Sequence, residues 1–221
     1  VLVRFSNSAA GFKGTAAEVE NLTKTAKAMS KGTVHSVSQV ADALKYMQRA
    51  GYSVAEMTGA LDSVMALATG TQTELASATE AVISTLNLFG MGITEADSTA
   101  NVFAAVIDRT GMSMNSLQAG LSIIAPFAKR AGYSIEEMSG ALAALSNAGY
   151  SGEQAGIVLK NILERLESPT QSMVKTLSEL GLSADDVAPS ANSLANIIAK
   201  LEKSGLSSAQ AMSLFGESTG T

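Results

Sequence analysis

The stretch Arg130-Ala-Gly-Tyr-Ser-Ile-Glu-Glu-Met-Ser-Gly-Ala-Leu142 contains the end of one helix and the start of the next. Gly132 can adopt the left-handed conformation that closes a helix without steric cost. Ser134 can accept a hydrogen bond from the free N–H groups of the following helix, and Glu137 stands at the spacing of a capping box. The stretch therefore predicts two helices joined by a very short junction.

The same order of residues, Gly then an apolar residue then Ser or Thr, recurs along the chain. Five copies are predicted to be structural helix caps: Gly51 with Ser53, Gly132 with Ser134, Gly149 with Ser151, Gly181 with Ser183, and Gly205 with Ser207. Two more copies, Gly92-Ile-Thr94 and Gly111-Met-Ser113, predict further junctions. Ser168-Pro-Thr170 predicts another helix start, with Pro169 at the first helical position.

Part of the pattern is duplicated. Arg49-Ala-Gly-Tyr-Ser-Val-Ala-Glu-Met-Thr-Gly-Ala-Leu61 matches Arg130–Leu142 at 10 of 13 positions, with an offset of 81 residues. This match predicts an internal duplication of about 81 residues. We expect a helical segment at 1–34 that belongs to a longer protein, a first helical repeat at 35–110, and a second repeat with C-terminal helices at 111–221.

Apolar residues recur at helical spacing between the junctions, and no stretch alternates apolar and polar residues over a useful length. The prediction is an all-α fold, a compact array of about ten short helices. Residues 1–14 show no clear period.

Composition excludes several classes of function. The chain has no Cys, which removes disulfides and thiolate metal sites. Its net charge is −5 and it has no long run of Lys or Arg, so specific nucleic-acid binding is disfavoured. Only 16% of the residues are charged, and a weakly charged helical surface suits contact with other protein chains.

No set of residues predicts catalysis, a cofactor or a bound metal. His35 is the only histidine, and it is interpreted as exposed or as a capping residue. The adjacent carboxylates Glu136-Glu137 and Asp185-Asp186 lie in first helical turns, where negative charge complements the helix dipole. The sequence therefore indicates that this segment is not an enzyme.

Two other features leave alternatives open. The uncharged stretch from Thr110 to Ala128 has 19 residues, but the helix signal restarts at Ser113, which leaves too little length to span a membrane. Gly152 with Gly156, and Gly140 with Ala144, stand four residues apart and let helix backbones approach closely. Such pairs serve packing within one chain or a contact between chains.

The stretch from Arg130 to Pro169 resembles the core region of phage tail tape measure proteins. The resemblance rests on Ala131-Gly-Tyr-Ser-Ile-Glu-Glu-Met-Ser-Gly-Ala-Leu-Ala-Ala-Leu-Ser-Asn-Ala-Gly149, on Ser151-Gly-Glu-Gln-Ala-Gly156, and on Leu159–Leu166. Thr85–Gly90 and Leu214-Phe-Gly216 fit the same pattern, so residues 35–217 are covered, least well between Leu180 and Ser193.

The resemblance implies a structural and assembly component of a phage or prophage tail that acts by protein–protein packing in the tail lumen and in genome delivery. Its implied partners are tail-tube and tail-tip proteins, tail assembly chaperones and other copies of itself. Its implied location is the virion tail, and the host cytoplasm during assembly. The alternatives are a membrane-active helical segment that aids DNA passage and an accessory domain of a cell-wall hydrolase.

Overall fold

A computed structural model describes residues 16–215, with side chains from residue 20 onward. The predicted features at residues 1–14 and at Gly216 lie outside the described residues. Between residues 16 and 215 the chain forms twelve α-helices and one 3-10 turn, with no strand. The predicted all-α fold is confirmed.

The described part of the chain divides into two compact units, which meet in sequence between Gln118 and Ala119. The division falls inside a helix, whereas the predicted boundary between the repeats is at 110/111. The predicted repeat boundaries stay predictions.

In residues 16–118 the first unit contains five complete helices and the start of a sixth: α1 (Ala16–Met29), α2 (Val37–Arg49), α3 (Val54–Gly70), α4 (Leu75–Phe89), α5 (Ala96–Thr110) and α6 (Met114–Ala131). Helix α3 packs against α5 and α4, and α2 packs against α4 and α1. Burial of apolar stripes between these helices removes large side chains from water, among them Leu44, Leu61, Ile83 and Phe103.

Up to residue 215, the second unit contains the rest of α6 and six further helices: α7 (Ile135–Asn147), α8 (Gly152–Glu167), α9 (Gln171–Glu179), α10 (Ala184–Val187), α11 (Leu194–Lys203) and α12 (Ser208–Phe215). Helix α8 packs against α7, α10 and α12, and α9 packs against α12. One buried apolar cluster holds its C-terminal part together: Leu166, Met173, Leu177, Val187, Ile197, Leu201 and Leu214.

Most junctions close as the sequence predicts, and two do not. Gly92 has a φ of −82°, because Gly90, with a φ of +75°, already ends α4 and leaves Gly92 before the 3-10 turn Ile93–Glu95. The predicted junction at Gly92 is therefore wrong. Pro169 is also misplaced by the prediction, because Thr170 caps α9 by accepting a hydrogen bond from the Met173 N–H, so that Pro169 precedes the cap.

The duplicated stretches have the same local structure. Gly51 and Gly132 have φ values of +96° and +79°, and helices α3 and α7 both begin three residues later. Met57 and Met138, at matching positions, are both buried. The duplication of the whole 81-residue interval stays a prediction.

Candidate functional site: helix junctions, a glycine crossing and a pinned loop

The ten predicted cap residues all lie at helix junctions. Their five glycines have φ between +71° and +99°, a region that favours glycine. At Gly149 the N–H donates to the carbonyl of Ser146 (2.9 Å) and the Tyr150 N–H donates to that of Leu145 (3.1 Å), the paired bonds of a Schellman closure. Gly51 and Gly181 close their helices with the same paired bonds.

The five serines start the next helices. Ser53, Ser134, Ser151, Ser183 and Ser207 each accept a hydrogen bond from the backbone N–H three residues later, and the side chain at that position accepts one from the serine N–H. Each reciprocal pair satisfies two groups that a helix start leaves free. Ser36 with Gln39 forms another such box, which the sequence analysis missed although the spacing is visible.

The predicted small-residue pairs have different surroundings. A Cβ added to Gly156 would lie 2.7 Å from the Gly120 carbonyl oxygen, and one added to Gly120 would lie 2.6 Å from the Gly152 carbonyl oxygen. Helices α6 and α8 therefore cross in backbone contact. Gly140 and Ala144 are exposed, and a Cβ on Gly140 would meet no heavy atom within 4 Å.

The predicted carboxylate pairs act in capping and in loop contacts. Glu137 accepts hydrogen bonds from the Ser134 N–H (3.4 Å) and from the Leu194 N–H (3.3 Å), which connects the starts of α7 and α11. The Asp186 carboxylate accepts hydrogen bonds from the N–H and the hydroxyl of Ser183. It also forms an ion pair with Lys200, whose Nζ lies 3.1 Å from Asp186 Oδ1. Hydrogen bonds from Ser183, followed by the one from Lys200, hold the pKa of the Asp186 carboxyl well below its usual range.

The interpretation of His35 as exposed or capping is wrong. Its side chain is buried, and Nε2 lies 3.0 Å from Thr69 Oγ1 and 3.2 Å from the Met65 carbonyl oxygen. The imidazole therefore fastens the segment before α2 to the C-terminal half of α3. The Thr69 hydroxyl itself donates to the same Met65 carbonyl, so the hydrogen bonds of His35 serve to hold this segment on α3.

Among residues 20–215, whose side chains the structure describes, no group of three or more His, Asp or Glu side chains is arranged to hold a metal ion. In the same part of the chain, no helix combines the length and the apolar character that crossing a membrane requires. The exposed large apolar side chains of the second unit are Ile157, Val174, Ile198 and Met212.

The comparisons with known proteins agree with the resemblance seen in the sequence. A model of the family described as "phage-related minor tail protein" matches residues 23–220. The chain is 29% identical over 172 residues to a protein named "tape measure protein" from Pneumococcus phage Dp-1, which covers 78% of this chain and 15% of that protein. No solved structure matches the chain. With a family match over nearly its whole length, the chain belongs to the family of phage-related minor tail proteins.

Proposed function

We propose that this chain is a structural segment of a tail tape measure protein, and that it acts by helix packing inside the lumen of the tail tube. The observation that carries the proposal is the similarity to a named tape measure protein over 172 residues. The chain corresponds to only 15% of that relative, so this segment takes part in tail building together with other parts of a longer protein.

The character of the fold supports this role. Its distinguishing residues are caps, close-packed glycines and buried apolar side chains, which are the means of holding helices together. Only 16% of the residues are charged, and large apolar side chains are exposed on several helices of the second unit. Such a surface suits contacts with tail-tube and tail-tip proteins, tail assembly chaperones and other copies of the chain.

Genome delivery is the second part of the proposal. A net charge of −5 disfavours retention of DNA that passes through the same lumen. The segment leaves the tail ahead of the DNA and is present in the host cytoplasm during assembly.

A contribution to setting the length of the tail is the third part of the proposal, and an in-frame deletion of residues 130–168 in the phage genome tests it. At about 1.5 Å per helical residue, loss of these 39 residues shortens an extended helical ruler by about 58 Å. Negative-stain electron microscopy of purified particles measures the tail-length distribution. An unchanged length would show that the ruler lies in other parts of the protein.

A further inference from the structure

The loop at residues 188–193, between α10 and α11, is held by hydrogen bonds from its own side chains and from those of neighbouring elements. Asn192 is its centre. Its carbonyl oxygen accepts a hydrogen bond from the Tyr133 hydroxyl (3.0 Å), its Nδ2 donates to the carbonyls of Asp185 (2.8 Å) and Ala188 (3.1 Å), and its Oδ1 accepts from Lys200 Nζ (3.1 Å). One residue thus connects the start of α7 with both helices that flank the loop.

Two carboxylates from other helices hold the backbone of the same region. Glu167, the last residue of α8, accepts a hydrogen bond from the Ser190 N–H (2.9 Å), and Glu137 of α7 accepts one from the Leu194 N–H (3.3 Å). Tyr133 is only 5% exposed, and burial, together with these two carboxylates, raises the pKa of its phenol. Glu137 of α7 and Glu167 of α8 therefore bind the backbone of the loop and of the start of α11, although neither carboxylate belongs to α9–α12.

The helices on either side of the loop are too short to be stable unless they pack against the rest of the unit. Helices α9, α10, α11 and α12 have 9, 4, 10 and 8 residues, all below the roughly 12–15 residues at which an isolated helix becomes marginal in water. Of the seven buried residues in their apolar cluster, α8 supplies Leu166 and the short helices supply the rest. Helices α6 and α8 are longer, at 18 and 16 residues, and cross in backbone contact.

We propose that residues 188–193 form a latch that keeps α9–α12 docked on α7 and α8, and that its release opens α9–α12 as one group while α6–α8 stay folded. Cooperative opening of a contiguous part of a domain below the free energy of global unfolding is a known behaviour of folded proteins. In this proposal α9–α12 are the part of the second unit that opens first.

Native-state hydrogen exchange of the whole chain tests the proposal without any mutation. Exchange is measured by mass spectrometry at a series of urea concentrations below the unfolding transition. The expected result is that peptides of α9, α11 and α12 share one opening reaction, which occurs at lower urea than that of α6 and α8. A single common opening for all peptides of residues 119–215 would overturn the proposal.

Matched variants test the role of the latch itself. Tyr133→Phe removes the hydroxyl that donates to the Asn192 carbonyl, and it should speed exchange in α9, α11 and α12 by about fivefold, the equivalent of losing about one net hydrogen bond, and leave α8 unchanged. Asn196→Ala is the control, because this exposed side chain lies on α11 outside the latch. Glu137→Ala should act like Tyr133→Phe, whereas Ser134→Ala, which removes the α7 cap but not the Leu194 contact, should not. Equal exchange in Tyr133→Phe and Asn196→Ala, or equal acceleration in α8 and α11, would contradict the latch.

Discussion

Gly156 on α8 lies against Gly120 on α6 so closely that a Cβ on Gly156 would stand 2.7 Å from the Gly120 carbonyl oxygen. The same Cβ would lie 3.0 Å from the Gly120 Cα, whereas non-bonded carbon atoms pack best at about 3.5–4.0 Å, so a methyl group at this position forces the two helix backbones apart. The contact is between main-chain atoms, which cannot move aside as a flexible side chain can. The position of α8 on α6 therefore depends on the absence of a side chain at both glycines.

The first prediction concerns this crossing. Gly156→Ala should lower the free energy of unfolding by about 1–3 kcal/mol, the usual range for overpacking, despite the better helix propensity of Ala. Gly140→Ala is the matched control, because its Cβ enters open space and should stabilise α7 by about 0.5–1 kcal/mol. Urea unfolding measures both variants, and equal stability of the two would refute the tight crossing.

The second prediction separates the two parts of a junction. Ser134→Ala should cost about 1 kcal/mol, because it leaves the Glu137 N–H without its cap. Gly132→Val should cost more, because a β-branched residue is forced to a φ of +79°. A Cβ there has no neighbour within 4 Å, so the cost comes from the backbone alone. Thermal melts that rank Gly132→Val no worse than Ser134→Ala would show that the left-handed closure contributes little.

The third prediction concerns pH. The pKa of Asp186 is lowered in the folded chain, so its contribution to stability is present above the ordinary aspartate pKa of about 4 and is lost as the pH falls below it. Asp186→Asn should therefore lower the melting temperature at pH 7, and the difference from the unmodified chain should shrink between about pH 4 and pH 2. Asp185→Asn leaves the Ser183 and Lys200 contacts in place and serves as the control. A difference that stays constant over this range would contradict the lowered pKa.

The fourth prediction concerns His35. His35→Ala removes a buried side chain and its hydrogen bond to α3, and should cost about 1–3 kcal/mol. The neighbouring Val34 is 78% exposed, so Val34→Ala should change stability by less than about 0.5 kcal/mol. Chemical denaturation measures the free energy of unfolding of both variants. Equal losses in His35→Ala and Val34→Ala would contradict the structural role of His35.

Much of this fold could be predicted from local sequence, because its helix ends depend on residues within one turn. Gly132 and Ser134 determine their junction through backbone conformation and a bond over three residues, and both features are visible in the sequence. Local pattern does not predict the closure of α3, which ends at Gly70: the left-handed position after it is taken by Gln72, with a φ of +52°, where glycine takes it at the other junctions.

The remaining features depend on contacts distant in sequence. The sequence around Gly120 gives no sign of its importance, which comes from Gly152 and Gly156 on another helix. The buried state of His35 depends on Met65 and Thr69, 30 and 34 residues away. The contacts of Glu137 and Glu167 with the loop are not predictable from local sequence for the same reason. The loop also lies in the segment between Leu180 and Ser193, which resembles the family least.

Protease protection in purified virions tests most directly whether this chain is a structural segment inside the tail. Intact particles are treated with trypsin, and peptides of residues 16–215 are measured by mass spectrometry before and after DNA ejection is triggered, with the tail-tube protein as the reference. We predict that these peptides are present and protected in intact virions, and that they are lost from the particles after ejection while the tail-tube peptides remain. Cleavage of the chain in intact virions, or its absence from purified particles, would contradict the proposed function.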